Sequence, residues 1–90
     1  MTYVIYVLAD DSWIEQVDFE AHGPGAKYPT GRVSCTADPL QAIKFTSQSE
    51  ARAFIERQSI VCPHRPDGKP NRPLRALTLA IVDLEENELP

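Results

Sequence analysis

The sequence predicts an α+β domain: an antiparallel sheet of about four strands with one main helix packed on one face. Three observations point there. Residues 2–9 and 74–84 are apolar at successive positions, as strands covered on both faces are. Residues 13–20 alternate apolar and polar side chains, as a half-buried strand does. Between them lies one stretch with a helix start signal, Ser47-Gln48-Ser49-Glu50, followed by Ala51, Phe54 and Ile55 at helical spacing.

Residues 2–9 contain Tyr3, Val4, Ile5, Tyr6, Val7 and Leu8 without interruption, which places this strand in the middle of the sheet. Asp10-Asp11-Ser12 are turn formers and predict a hairpin. In the strand that follows, strict alternation puts Trp13, Val17 and Phe19 on one face with Glu15. It puts Gln16, Asp18 and Glu20 on the other with Ile14. Residues 22–31 hold three of the four glycines and two of the eight prolines, so they form a loop, long for a hairpin connection. Residues 32–36 fit a short third strand.

Asp38 then caps a helical turn opened by Pro39, with Leu40, Ile43 and Phe45 packing inward. The main helix is expected over residues 48–58, with Arg52, Glu56 and Arg57 on its outer side. Residues 59–62 return to the sheet, as a brief strand or as plain chain. Residues 63–73 carry four prolines, Gly68 and Asn71 and form a second long loop. Residues 74–84 read as a second central strand, and residues 85–90 as an acidic end. The expected core is Val4, Tyr6, Trp13, Phe45, Phe54, Leu77, Leu79 and Ile81. One helix of this length cannot cover four strands, so the opposite face is expected to meet a short helix, a loop or a second copy of the chain.

Ninety residues make one domain, 1–90, with 42% hydrophobic and 24% charged residues, a globular composition. The apolar run 4–9 is far short of the roughly 20 residues a membrane span needs. No basic stretch followed by an apolar one opens the chain, so a cytoplasmic location without a membrane partner is expected. His22, Cys35, Cys62 and His64 are the soft ligands. Cys62-Pro63-His64 is tighter than a metal knuckle and no second cysteine pair exists, so neither a metal nor another cofactor is expected. A Cys35–Cys62 disulfide is disfavoured in a reducing cytosol. Cys35 or Cys62 can be drawn with His64 as nucleophile and base, as can many chance pairings. No nucleophile elbow, phosphate-binding P-loop, zinc-protease or dinucleotide motif is present, and the chain is not expected to be an enzyme.

Charge placement says more. The net charge is −4. Residues 1–26 carry Asp10, Asp11, Glu15, Asp18 and Glu20 with no Lys or Arg, and Asp83, Glu85, Glu86 and Glu88 lie at the end. Residues 63–75 hold Arg65, Lys69, Arg72 and Arg75 against Asp67 alone. An acidic strand face would attract a Lys- and Arg-lined groove such as those that hold nucleic acid. The binding candidates are therefore Asp11, Glu15, Asp18 and Glu20 on the acidic side and Arg65, Lys69 and Arg72 on the basic side. An acidic chain with few clustered cations is not the composition of a dedicated nucleic-acid reader, and nucleic acid is the less expected partner.

Residues 36–54 carry the pattern T-x-D-P-x-x-A-x-x-F-x-S-x-x-E-A-x-x-F, from Thr36, Asp38 and Pro39 through Ala42, Phe45 and Ser47 to Glu50, Ala51 and Phe54. An opening Tyr/Val-rich strand and a Trp-bearing strand precede it, and an apolar strand follows. This arrangement resembles small phage and prophage accessory proteins, over about two-thirds of the chain. The motif encodes caps, turns and a buried phenylalanine, so it speaks for the fold more than for an activity. Relative to that pattern, residues 63–73 look like an insertion. Some small acidic proteins of this kind inhibit host defences, anti-CRISPR proteins among them. The resemblance implies a phage-type protein that acts in the host cytoplasm by binding a host protein. The alternatives are a self-associating module that forms a homodimer and a weak nucleic-acid-associated regulator.

Overall fold

A computed structural model describes residues 1–87. It contains β1 (Tyr3–Val7), β2 (Ser12–Asp18), β3 (Arg32–Thr36), α1 (Gln48–Ile55), β4 (Leu79–Asp83) and a single helical turn, α2 (Leu84–Asn87). Short 3-10 turns occupy Pro39–Gln41 and Pro73–Ala76. The strands form one antiparallel sheet in the order β3-β2-β1-β4, which is the α+β architecture read from the sequence.

β1 is interior, as its run of apolar residues requires. It pairs with β4 along its whole length, from Tyr3↔Asp83 to Val7↔Leu79. With β2 it shares only Tyr6↔Trp13 and Val7↔Ser12. Beyond those rungs the strands part and the chain after Pro39 wedges between them. The Ile43 N–H donates to the Ile14 carbonyl (3.0 Å), and Phe45 and Tyr3 exchange both backbone hydrogen bonds (2.8 and 2.9 Å). This wedge drops Phe45 into the core.

Strict alternation fails in β2. Its register with β3 slips between Ile14 and Gln16, so Glu15 is an extra residue at a bulge. A bulge inverts the facing of everything beyond it. Ile14, Val17 and Phe19 consequently share the face that meets α1, while Trp13 is paired with Tyr6 on the opposite face. The sequence puts Ile14 with the wet residues and Trp13 with Val17, and both assignments are corrected.

The last strand is also corrected. Residues 74–84 are not one central strand: Pro73, which lacks an N–H, opens a 3-10 turn, closed by the Leu77 N–H on the Leu74 carbonyl (3.2 Å). β4 begins only at Leu79 and lies at the sheet edge. Leu77 is 37% exposed instead of buried.

Ser47 accepts from the Glu50 N–H (3.1 Å) and starts α1 as expected, but the Glu50 carboxylate takes the Thr46 hydroxyl (2.8 Å) instead of returning to Ser47. The helix stops at Ile55, three residues early, with a last tight turn in which the Arg57 N–H donates to the Phe54 carbonyl (3.3 Å). The main core joins Tyr3, Ile5, Val7, Ile14, Phe19, Phe45, Ala51 and Leu74. Phe54 stands edge-on to Phe19 and tilted to Phe45, both at 5.2 Å between ring centres, and is half-buried. Tyr6, Trp13, Leu79 and Ile81, also expected in the core, are half-buried.

On the opposite face Leu84 of α2 and Ala42 seal Val4 in a small second cluster. A short helix does meet that face, over one part of it. Glu85, at the start of the acidic end, lies 3.7 Å from the N-terminal amine. Glu88, Leu89 and Pro90 of the same end lie outside the described residues. No helix among the described residues is long and apolar enough to cross a membrane.

Candidate functional site

Three places collect the candidate residues. The first is the sheet face away from α1. Cross-strand pairing puts Tyr6, Trp13 and Thr36 on it in one row, with Gln16, Ser34, Asp18 and Arg32 toward one end. The Tyr6 and Trp13 rings lie 4.9 Å apart at 59° and both are half-buried, with Trp13 packed against the edge of the Val4, Ala42 and Leu84 cluster. Asp11 ends the β1–β2 turn with φ 49°, a conformation Asp tolerates, and accepts the Tyr6 hydroxyl proton in a hydrogen bond. That bond, with the nearby carboxylate charge, holds the Tyr6 phenol above its ordinary pKa. Asp11 and Asp18 are exposed, and Glu15 is exposed at the bulge. The result is an aromatic pair with the Asp11 carboxylate bonded to it, and with Asp18, paired across to Arg32, farther along the same face.

Glu20 is elsewhere and does something else. Its carboxylate accepts the Ser59 hydroxyl, the Ile60 N–H (2.7 Å) and the Val61 N–H (3.2 Å). It is a clamp that fastens residues 59–61 to the end of β2. These hydrogen bonds, Ser59 first, hold its carboxyl below the usual 4.5, helped by the Arg57 charge and opposed by desolvation. Arg57 itself lies 4.7 Å above the Phe19 ring.

A lowered folded pKa means that the unfolded chain binds the proton more readily. The clamp's contribution is therefore complete above the ordinary carboxylate range and disappears as pH falls through the folded value. In hydrogen exchange, the Ile60 and Val61 amides should be protected at neutral pH and lose protection on acidification. Glu20→Gln should expose them at both pH values. Equal exchange in the two proteins at neutral pH contradicts the clamp.

The basic candidates converge. Arg65, Lys69, Arg72 and Arg75 line one cleft of about 420 Å³ together with Tyr28 and Thr30. The sequence points to the four cations but not to Asn71, which is 3% exposed and builds the site. Its side-chain amide donates to the carbonyls of Pro29 (2.8 Å) and Cys62 (3.0 Å). Nor does it point to Glu56, which binds Arg75 at 2.7 Å and lies 3.8 Å from Arg72. The visible signal is Pro66-Asp67-Gly68, a turn sequence that marks residues 63–73 as a hairpin and not a slack loop.

Cys35 and Cys62 are free. Among the described residues no group of three or more His, Cys, Asp or Glu side chains is placed to hold a metal ion. Comparison of the chain with known protein families, with curated proteins and with solved structures finds no match.

Proposed function

We propose that this chain works by occupying the surface of another protein and not by catalysis, as a small acidic accessory protein of the phage type. The observation that carries this reading is the Tyr6–Trp13 pair, half-buried on a sheet face with Asp11 hydrogen-bonded to Tyr6 and Asp18 exposed farther along the same face. Tyrosine and tryptophan are the residues that most often dominate interface energies, and surrounding carboxylates select a basic partner. The partner is a host protein with a Lys- and Arg-lined groove, and in its sharpest form a nucleic-acid-handling defence complex that the chain blocks in the host cytoplasm. The phage-type pattern over residues 36–54 supports that setting.

Capture of partners from a bacterial lysate by the tagged protein at low salt tests the reading. One stoichiometric protein, released as salt rises, is the expected outcome. Recovery of the bait alone removes the proposal.

A second reading has its own observation. β4 is an apolar edge strand, and Leu79 and Ile81 floor a groove of about 430 Å³ beside α1. Two copies pairing edge to edge would cover it. Sedimentation at high micromolar concentration decides this: a dimer supports self-association, and a strict monomer rejects it.

A further inference from the structure

The basic cleft has a construction that surface charge alone does not require. Arg65-Pro66-Asp67-Gly68-Lys69 folds as a tight hairpin. The Arg65 N–H donates to the Lys69 carbonyl (2.8 Å), the Gly68 N–H to the Arg65 carbonyl (2.9 Å) and the Lys69 N–H to the Asp67 carboxylate (3.0 Å). Gly68 takes the positive φ of 86° that closes the turn. His64 and Pro70 bridge below it. This geometry seats Arg65 and Lys69 opposite each other on a short ribbon, with Asp67 paired to Arg65 (3.6 Å).

Asn71 fixes the hairpin to the rest of the site. Its backbone N–H donates to the Pro63 carbonyl (2.8 Å), its own carbonyl accepts from Ser59 (2.9 Å), and its side chain holds Pro29 and so the wall formed by Tyr28 and Thr30. The chain then turns through Arg72 into the 3-10 turn bearing Arg75. Four of the nine Lys and Arg residues of an acidic protein thus face one cleft, and no carboxylate lines it. Glu56 and Asp67 pair with the arginines from outside that lining. Lys69 has no ionic partner among the described residues, and the Nε–H groups of Arg65 and Arg72 are shielded from solvent with no hydrogen-bond acceptor there.

We propose that this cleft binds the diphosphate group of a nucleotide-sized ligand. Four cations less two outer carboxylates leave a net positive charge of two, which offsets most of the negative charge of a nucleoside diphosphate. Guanidinium groups suit phosphate oxygens because their N–H groups are spaced to take two oxygens at once. A volume of about 420 Å³ exceeds what a lone phosphate fills and falls in the range of small-ligand pockets. Tyr28, Pro70 and Pro73 supply apolar wall for a ring attached to the phosphates.

Titrating the full chain with ADP and with inorganic pyrophosphate at low ionic strength, followed by amide NMR and calorimetry, tests the site. Saturable ADP binding is expected, with shifts at Thr30, Lys69, Asn71 and Arg72. Lys69→Gln should weaken it about tenfold, as should Arg65→Gln, while Asp10→Asn in the exposed β1–β2 turn should leave it unchanged. Pyrophosphate binding as tightly as ADP keeps the diphosphate site and assigns the ligand to the inorganic form. Lack of saturation by both, parent-like binding by the two variants, or tighter binding of a random single-stranded oligonucleotide than of ADP overturns the proposal. Lys69 is exposed at the hairpin, so its variant keeps the fold and the test stays decisive.

Discussion

Phe45→Ala is expected to cost about 3–5 kcal/mol, a large part of the roughly 5–10 kcal/mol that a domain of this size possesses. Phe45 is 6% exposed and is carried on the wedge that holds β1 and β2 apart. Its ring touches Phe54, and its backbone is bonded twice to Tyr3. Truncation leaves a cavity in the middle of the main core, under α1, and the short helix has little else with which to fill it. Phe54→Ala removes as large a ring from a half-buried site and should cost less, about 2–3 kcal/mol. Urea denaturation measures both. A Phe45→Ala midpoint equal to that of the parent, or a reversed order of the two variants, contradicts this packing.

Gly31→Ala is the second large effect, at about 2–5 kcal/mol. Gly31 has φ +83°, which costs an L side chain roughly 1–2 kcal/mol. The added methyl would also lie 2.6 Å from Cβ of Pro73, a buried residue in the wall of the basic cleft that cannot withdraw. Overpacking of this kind adds roughly 1–3 kcal/mol. Gly68 supplies the control, since its φ of +86° opens on free space. Gly68→Ala should cost only about 1–2 kcal/mol, the conformational part alone. Equal losses at the two positions would show that contact with Pro73 is not what restricts residue 31.

These variants mark where the sequence was legible. Local signals carried far: the Ser47 cap, the Asp38-Pro39 turn, the interior place of β1 and the α+β class all follow from neighbours within a few residues. What escaped depends on distant partners. The Glu15 bulge is invisible in an alternating pattern, because it is defined only against β3, yet it exchanges the faces of Ile14 and Trp13. Leu77 looks like core by composition and is exposed because Pro73 ends its segment's extended run. Among the candidate binding residues, Arg65, Lys69 and Arg72 converge on one cleft, and Asp11 and Asp18 fall on one sheet face. Glu20 reads like them in sequence, but its partners at Ser59, Ile60 and Val61 lie about forty residues away.

The aromatic pair and the carboxylates on its sheet face are the docking surface proposed for this chain. The most direct test is a paired capture experiment with the parent and an Asp11→Lys/Asp18→Lys double variant, each verified to be folded. The same lysate and the same series of salt concentrations serve for both. The expected result is a partner held by the parent at low salt, released as salt rises, and absent from the double variant at every concentration. A partner retained equally by both proteins, with the same salt dependence, would contradict the claim.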